Sequence, residues 1–143
     1  MSDTTISAFT QAAQHAQQWV NELSDDLGGM APRRAYRLMR SVLHAVRDWL
    51  SVEEMSDLSA QLPMLIRGLY YENWNPSAAP TWERSKADFV DRIKQDFRDE
   101  PLDDPEAAIA AVFRLLDRHV SPGEIRQVRQ AMRKGLQNLW PAG

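Results

Sequence analysis

Any chemistry in this chain would start from a histidine and a carboxylate four residues apart. His44 and Asp48 fall one helical turn apart, within reach of a hydrogen bond. Such a pair can orient an imidazole as a general base or as a metal ligand. On a solvated face it is only a surface pair. Of the other histidines, His15 falls on the polar side of the first predicted helix and His119 at an apolar packing position. The spacing H-E-x-x-H is absent, and so is the Glu-x-x-His of di-iron bundles. There is no G-x-S-x-G, glycine-rich phosphate loop or P-loop lysine. With no cysteine, disulfides, thiolate metal sites and thiol nucleophiles are all excluded. No catalytic residue, resident metal or cofactor is expected.

Charged and aromatic residues cluster in four places. Arg33, Arg34, Arg37 and Arg40 open the second predicted helix. Arg126, Arg129 and Arg133, with Lys134, form a stripe along the last one. A stripe of that kind could track phosphates, pair with an acidic loop or keep a surface solvated. Asp99, Glu100, Asp103 and Asp104 make the acidic loop, which lacks the spacing of an EF-hand. Residues 121–123 between two helices mimic a helix-turn-helix, but the acidic pI near 5.6 argues against nucleic acid. The fourth cluster is Arg67, Tyr70, Tyr71 and Trp74. Aromatics beside arginine are the usual content of a protein-binding hot spot, so these four are the partner-binding candidates. The competing reading puts Tyr70 in the core, with Trp74 packing a linker onto the domain.

The elements that must position these residues follow from apolar spacing. Ile6, Phe9, Ala13, Ala16, Val20, Leu23 and Leu27 recur every three or four residues, predicting a helix over about 4–27 that Gly28 and Gly29 stop. Pro32 suits the first turn of a second helix, and Ser51 caps a third. Pro63 should break the stripe before a short helix ending near Tyr71. Residues 73–80 read as a linker. A further helix then opens near Thr81 or Ser85, Asp104 and Pro105 begin the next, and Ser121 and Pro122 begin a last one running to about Trp140.

The same pattern occurs twice, seventy positions apart. Trp19, Val20, Leu23 and Leu27 fall on Phe89, Val90, Ile93 and Phe97. Ser51 and Glu54, a capping box, fall on Ser121 and Glu124. No alternating strand pattern appears. The expectation is an all-α domain over 1–143, a bundle of six to seven helices built from two tandem units at about 4–72 and 81–141.

A length of 143 residues suffices for one ordinary core, and the apolar and charged fractions of 43% and 26% are those of soluble proteins. The longest apolar run, 62–66, is far too short for a membrane span, and the N-terminal residues show no leader pattern. A cytoplasmic location is expected.

The run 42–48 (Val-Leu-His-Ala-Val-Arg-Asp), the stretch Leu62-Pro63 with Arg67-Gly68 and Tyr70-Tyr71, then Phe89-Val90 and 121–124, resemble bacterial proteins of the domain-of-unknown-function family numbered 2267. The likeness covers about 19–140. It implies a small, all-helical, duplicated bacterial protein and brings no activity, substrate or catalytic residue with it. Asn73 and Asn75 depart from the glycine and aspartate that the resemblance leads one to expect around Trp74. The functional expectation is a non-enzymatic interaction or regulatory protein with an unidentified protein partner. The alternative is a small-ligand or metal-binding protein with a pocket between the units, using His44 and Asp48.

Overall fold

Helix starts in this chain are written in side chains that satisfy the orphan N–H groups of a first turn. Ser51 accepts from the Glu54 N–H at 3.2 Å while the Glu54 carboxylate accepts from the Ser51 N–H at 2.9 Å. Ser85 and Asp88 form the same reciprocal box. Asp104 accepts from the Ala107 N–H, with Pro105 in the first turn. Ser121 departs from the expected box. Its oxygen accepts from the Glu124 N–H, but its own N–H donates to Gln61 Oε1 at 3.2 Å. A side chain from the end of the third helix has replaced the glutamate and ties the two helices together.

The computed structural model describes residues 4–78, 80, 85–132, 136 and 138–140. Among them are seven α-helices and no strand: α1 (Ser7–Asp26), α2 (Pro32–Trp49), α3 (Val52–Ser59), α4 (Met64–Tyr71), α5 (Lys86–Asp96), α6 (Pro105–His119) and α7 (Pro122–Ala131). A single 3₁₀ turn, Pro76–Ala78, lies in the expected linker. Thr81, one of the two expected starts of α5, lies outside the described residues, and the helix begins after the other, Ser85. Helix ends recur seventy positions apart: α1 and α5 end at Asp26 and Asp96, α2 and α6 at Trp49 and His119.

α7 ends at Ala131 rather than near Trp140, because Met132 takes an extended conformation. This is the position equivalent to Leu62, where Pro63 forces a break in the first unit. No proline is needed here. Met132 is fully buried, and Trp140 folds back to donate its indole N–H to Met132 Sδ while stacking on Phe113 at 4.1 Å.

α1 and α5 each pack on both α2 and α6, α2 packs on α6, and α3 on α7. Trp19 stacks on His119 at 4.6 Å, and Phe89 meets Trp49 edge-on at 5.6 Å. These two contacts are counterparts under the seventy-residue offset. The buried apolar side chains form one cluster to which all seven helices contribute. Phe89 is fully enclosed between Trp49 and Phe113. Phe89→Ala is expected to lower unfolding free energy by about 3–5 kcal/mol, read from urea denaturation, since the surrounding rings cannot close the gap.

Candidate functional site

The polar residues singled out by the sequence meet at the C-terminal end of α4. That helix has only eight residues, and a helix so short is not stable alone. Its last carbonyls need donors, and α2 supplies them. His44 Nε2–H donates to the Leu69 carbonyl at 2.7 Å. One turn later Arg47, only 3% exposed, donates through Nη1 to the carbonyls of Tyr70 (2.9 Å) and Glu72 (2.6 Å). The rest of its guanidinium grips Asp48 at 2.9 and 3.2 Å. Asp48 in turn accepts from Arg92 of α5 at 2.7 Å.

His44 and Asp48 therefore take different partners. Burial holds the His44 imidazole below its ordinary value of 6.5, with the Leu69 contact opposing and nearby Arg47 and Arg40 adding to the effect. Burial would raise the Asp48 carboxyl, but its hydrogen bonds to Arg47 and Arg92 outweigh this and hold it below its usual range. A neutral imidazole donating to a carbonyl and a carboxylate shared by two arginines are fold-holding arrangements. Among the described residues no three His, Asp or Glu side chains converge as a cation site would require.

The aromatic segment is similarly engaged. Arg67 donates to the Ser59 and Leu62 carbonyls at 2.9 and 3.0 Å, closing the end of α3. Tyr70 is fully buried, its hydroxyl donating to the Met55 carbonyl, and burial pushes its phenol far above the ordinary range. Tyr71 donates to Ser59 Oγ, and half-buried Trp74 packs edge-on against its ring at 5.8 Å. The turn between them depends on Asn73, whose φ is 59°. Glycine would adopt this left-handed conformation without strain, and asparagine is the side chain that tolerates it best. Asn75 Oδ1 accepts from the Ser77 N–H as an aspartate would. The two departures from the family pattern thus keep the turn's geometry.

The arginines opening α2 have a structural task as well. Arg34 and Arg37 donate to the carbonyls of Pro101 and Asp96, both at 2.9 Å, with their guanidinium groups over the Phe97 ring. Arg37 also reaches Asp99 of the acidic loop. That loop is therefore held by α2. In the α7 stripe, Arg129 lies over the Trp140 ring at 5.3 Å, and Arg133 and Lys134 fall outside the described residues.

The surface left open is a groove of about 660 Å³ between α1, α2 and α4. Val20, Met39, Ile66 and Leu69 form its floor. Tyr36 and Leu65, 42% and 48% exposed, stand at its edges with Arg33 and Gln17. Phe9, one turn before Ala13 of the groove wall, is 64% exposed. A second groove is lined by residues 91–105 of the second unit. Each is lined from one unit alone, so neither is the pocket between units that the ligand-binding alternative required. Sequence reasoning missed the groove. The available signal was the triplet Met64-Leu65-Ile66, three consecutive apolar residues that cannot all face one core from a helix.

The residues 16–139 match the family model described as "Uncharacterized conserved protein (DUF2267)", and the chain belongs to that family. No curated protein matches the chain.

Two outcomes are expected. Because folding depresses the His44 value, the unfolded chain binds more protons on the acid side of 6.5, so this group's stabilisation is complete above 6.5 and lost as pH falls through the lower folded value. His44→Gln should flatten that part of the stability–pH curve in urea titrations. At the turn, Asn73→Val should cost about 1–2 kcal/mol while Asn73→Gly costs nothing measurable, both read from thermal unfolding.

Proposed function

We propose that this chain is a non-enzymatic interaction module whose working surface is the α1/α2/α4 groove, and that its occupant is an amphipathic helix of a partner protein with an acidic residue opposite Arg33. The observation that carries this reading is Gly68. It sits in the middle of α4, where glycine is about 1 kcal/mol worse than alanine. Its φ is not left-handed, and a Cβ added to it would meet nothing within 4 Å. Nothing within the fold asks for glycine there, whereas a helix laid in the groove would approach this backbone closely.

Surrounding features support the same occupant. The first turns of α1 carry Ile6 and Phe9 on the stripe that buries Val20 and Leu23 further along, yet both are more than half exposed. Apolar anchors at helical spacing along a groove suit a partner helix. Arg33 makes no ion pair among the described residues, which favours an acidic position on the partner. The candidates Arg67, Tyr70, Tyr71 and Trp74 enter this proposal as the residues that hold α4 in place as a groove wall, rather than as the contact surface. No helix among the described residues is long and apolar enough to cross a membrane. A bacterial cytosolic setting belongs to the proposal and rests on the cysteine-free composition.

The test is photo-crosslinking in cells from a reactive side chain placed at Leu65. A discrete crosslinked protein is expected, absent when Gly68→Leu fills the groove and weakened by Arg33→Glu. Gly68→Ala should raise unfolding free energy by about 0.5–1 kcal/mol, showing that glycine is not held for stability. The same crosslinks from Gly68→Leu, or none from the wild type, would remove the groove as the working surface.

A further inference from the structure

The contacts between the two units are reciprocal, and their charges are reversed. Glu22 of α1 pairs with Arg118 of α6 at 3.2 Å. The counterpart pair, seventy positions on in each helix, is Arg92 of α5 with Asp48 of α2 at 2.7 Å. Acid and base have changed places in both positions. The reversal extends to the neighbours, since Arg47-Asp48 at the end of α2 becomes Asp117-Arg118 at the end of α6.

The apolar part of the same interface shows no such distinction. Trp19 and Phe89 are both aromatic, and so are the rings they meet, His119 and Trp49. By aromatic packing alone, a unit could dock on a second copy of itself as readily as on its neighbour in the chain. Charge separates the alternatives. Two first units docked together would set Glu22 against Asp48, and two second units would set Arg92 against Arg118.

We propose that these reversed pairs are a recognition code by which the first unit selects the second and rejects a like unit of another chain, disfavouring dimers made through like units. Like charges brought into register across an interface suppress the wrong pairing more effectively than matched charges strengthen the right one. The side chains are 20–41% exposed, so the code is sensitive to salt. The inference stands independently of what occupies the groove.

Three chains of equal net charge test it by sedimentation velocity and thermal unfolding: the wild type, Glu22→Arg/Arg92→Glu and Glu22→Arg/Arg118→Glu. The wild type is expected to be a monomer. In the first double variant both contacts within the chain join like charges, and both contacts between like units join opposite ones. Its melting temperature should fall by roughly 3–8 °C, and dimers should form at least about tenfold more tightly than in the wild type, dispersing in high NaCl. The second double variant rejoins opposite charges within the chain, so it should recover most of the melting temperature lost in Glu22→Arg alone. A first double variant that remains monomeric with an unchanged melting temperature overturns the proposal. So does a double-mutant cycle over Glu22→Arg, Arg118→Glu and the two together that shows no coupling between these positions, a comparison from which the Arg118 contact with Asp26 cancels. That last comparison decides even if the first double variant does not fold.

Discussion

Two aromatic contacts, Trp19 on His119 and Phe89 against Trp49, bind α1 to α6 and α5 to α2. Everything else in the molecule follows from that exchange. α2 and α6 each meet both first helices, which accounts for their unbroken buried faces: Leu38, Met39, Val42, Leu43 and Val46 in one, Ile109, Val112, Phe113 and Leu116 in the other. Neither unit alone covers those faces. Asp48 at the end of α2 and Arg118 at the end of α6 also reach across the boundary, to Arg92 and Glu22.

Around this frame the short helices are held by polar groups that resemble functional ones. His44, Arg47 and Arg67 all donate to backbone carbonyls at helix ends. The physical need is plain: a short helix exposes nearly as many unpaired carbonyls as it satisfies, and long basic side chains from a neighbouring element are the cheapest remedy when the end is buried. Burying Arg47 requires that its positive charge be matched, and Asp48 does this while handing its second oxygen to Arg92. One ion cluster thereby joins α2, the end of α4 and α5. α4, which walls the groove, is thereby tied to α2.

That groove is where the molecule stops resembling a self-satisfied bundle. α1 extends nine residues before Ala16, the position equivalent to Lys86 at the start of α5. Phe9, one turn before Ala13 of the groove wall, lies in this stretch and is exposed. An apolar stripe that outruns the surface it could bury has unfinished packing, and the glycine opposite it leaves room for a close approach.

The sequence by itself determined the local order of this protein. Apolar spacing gave the helices, while Ser51, Pro63, Pro105 and Ser121 marked where they start, because capping and proline geometry depend only on near neighbours. The family pattern was legible for the same reason, since it resides in contiguous residues such as Leu62-Pro63 and Arg67-Gly68. What the tertiary structure alone decided was the fate of each polar side chain. His44 and Asp48 lie one turn apart on α2, but Leu69 and Arg92, distant in the chain, are what draw them to separate partners. The surroundings of Trp140 were decided the same way, because its stacking on Phe113 and its contact with Met132 appear only in the folded chain. Capping is a short-range interaction, whereas partner choice and groove formation depend on residues brought together only when the units close.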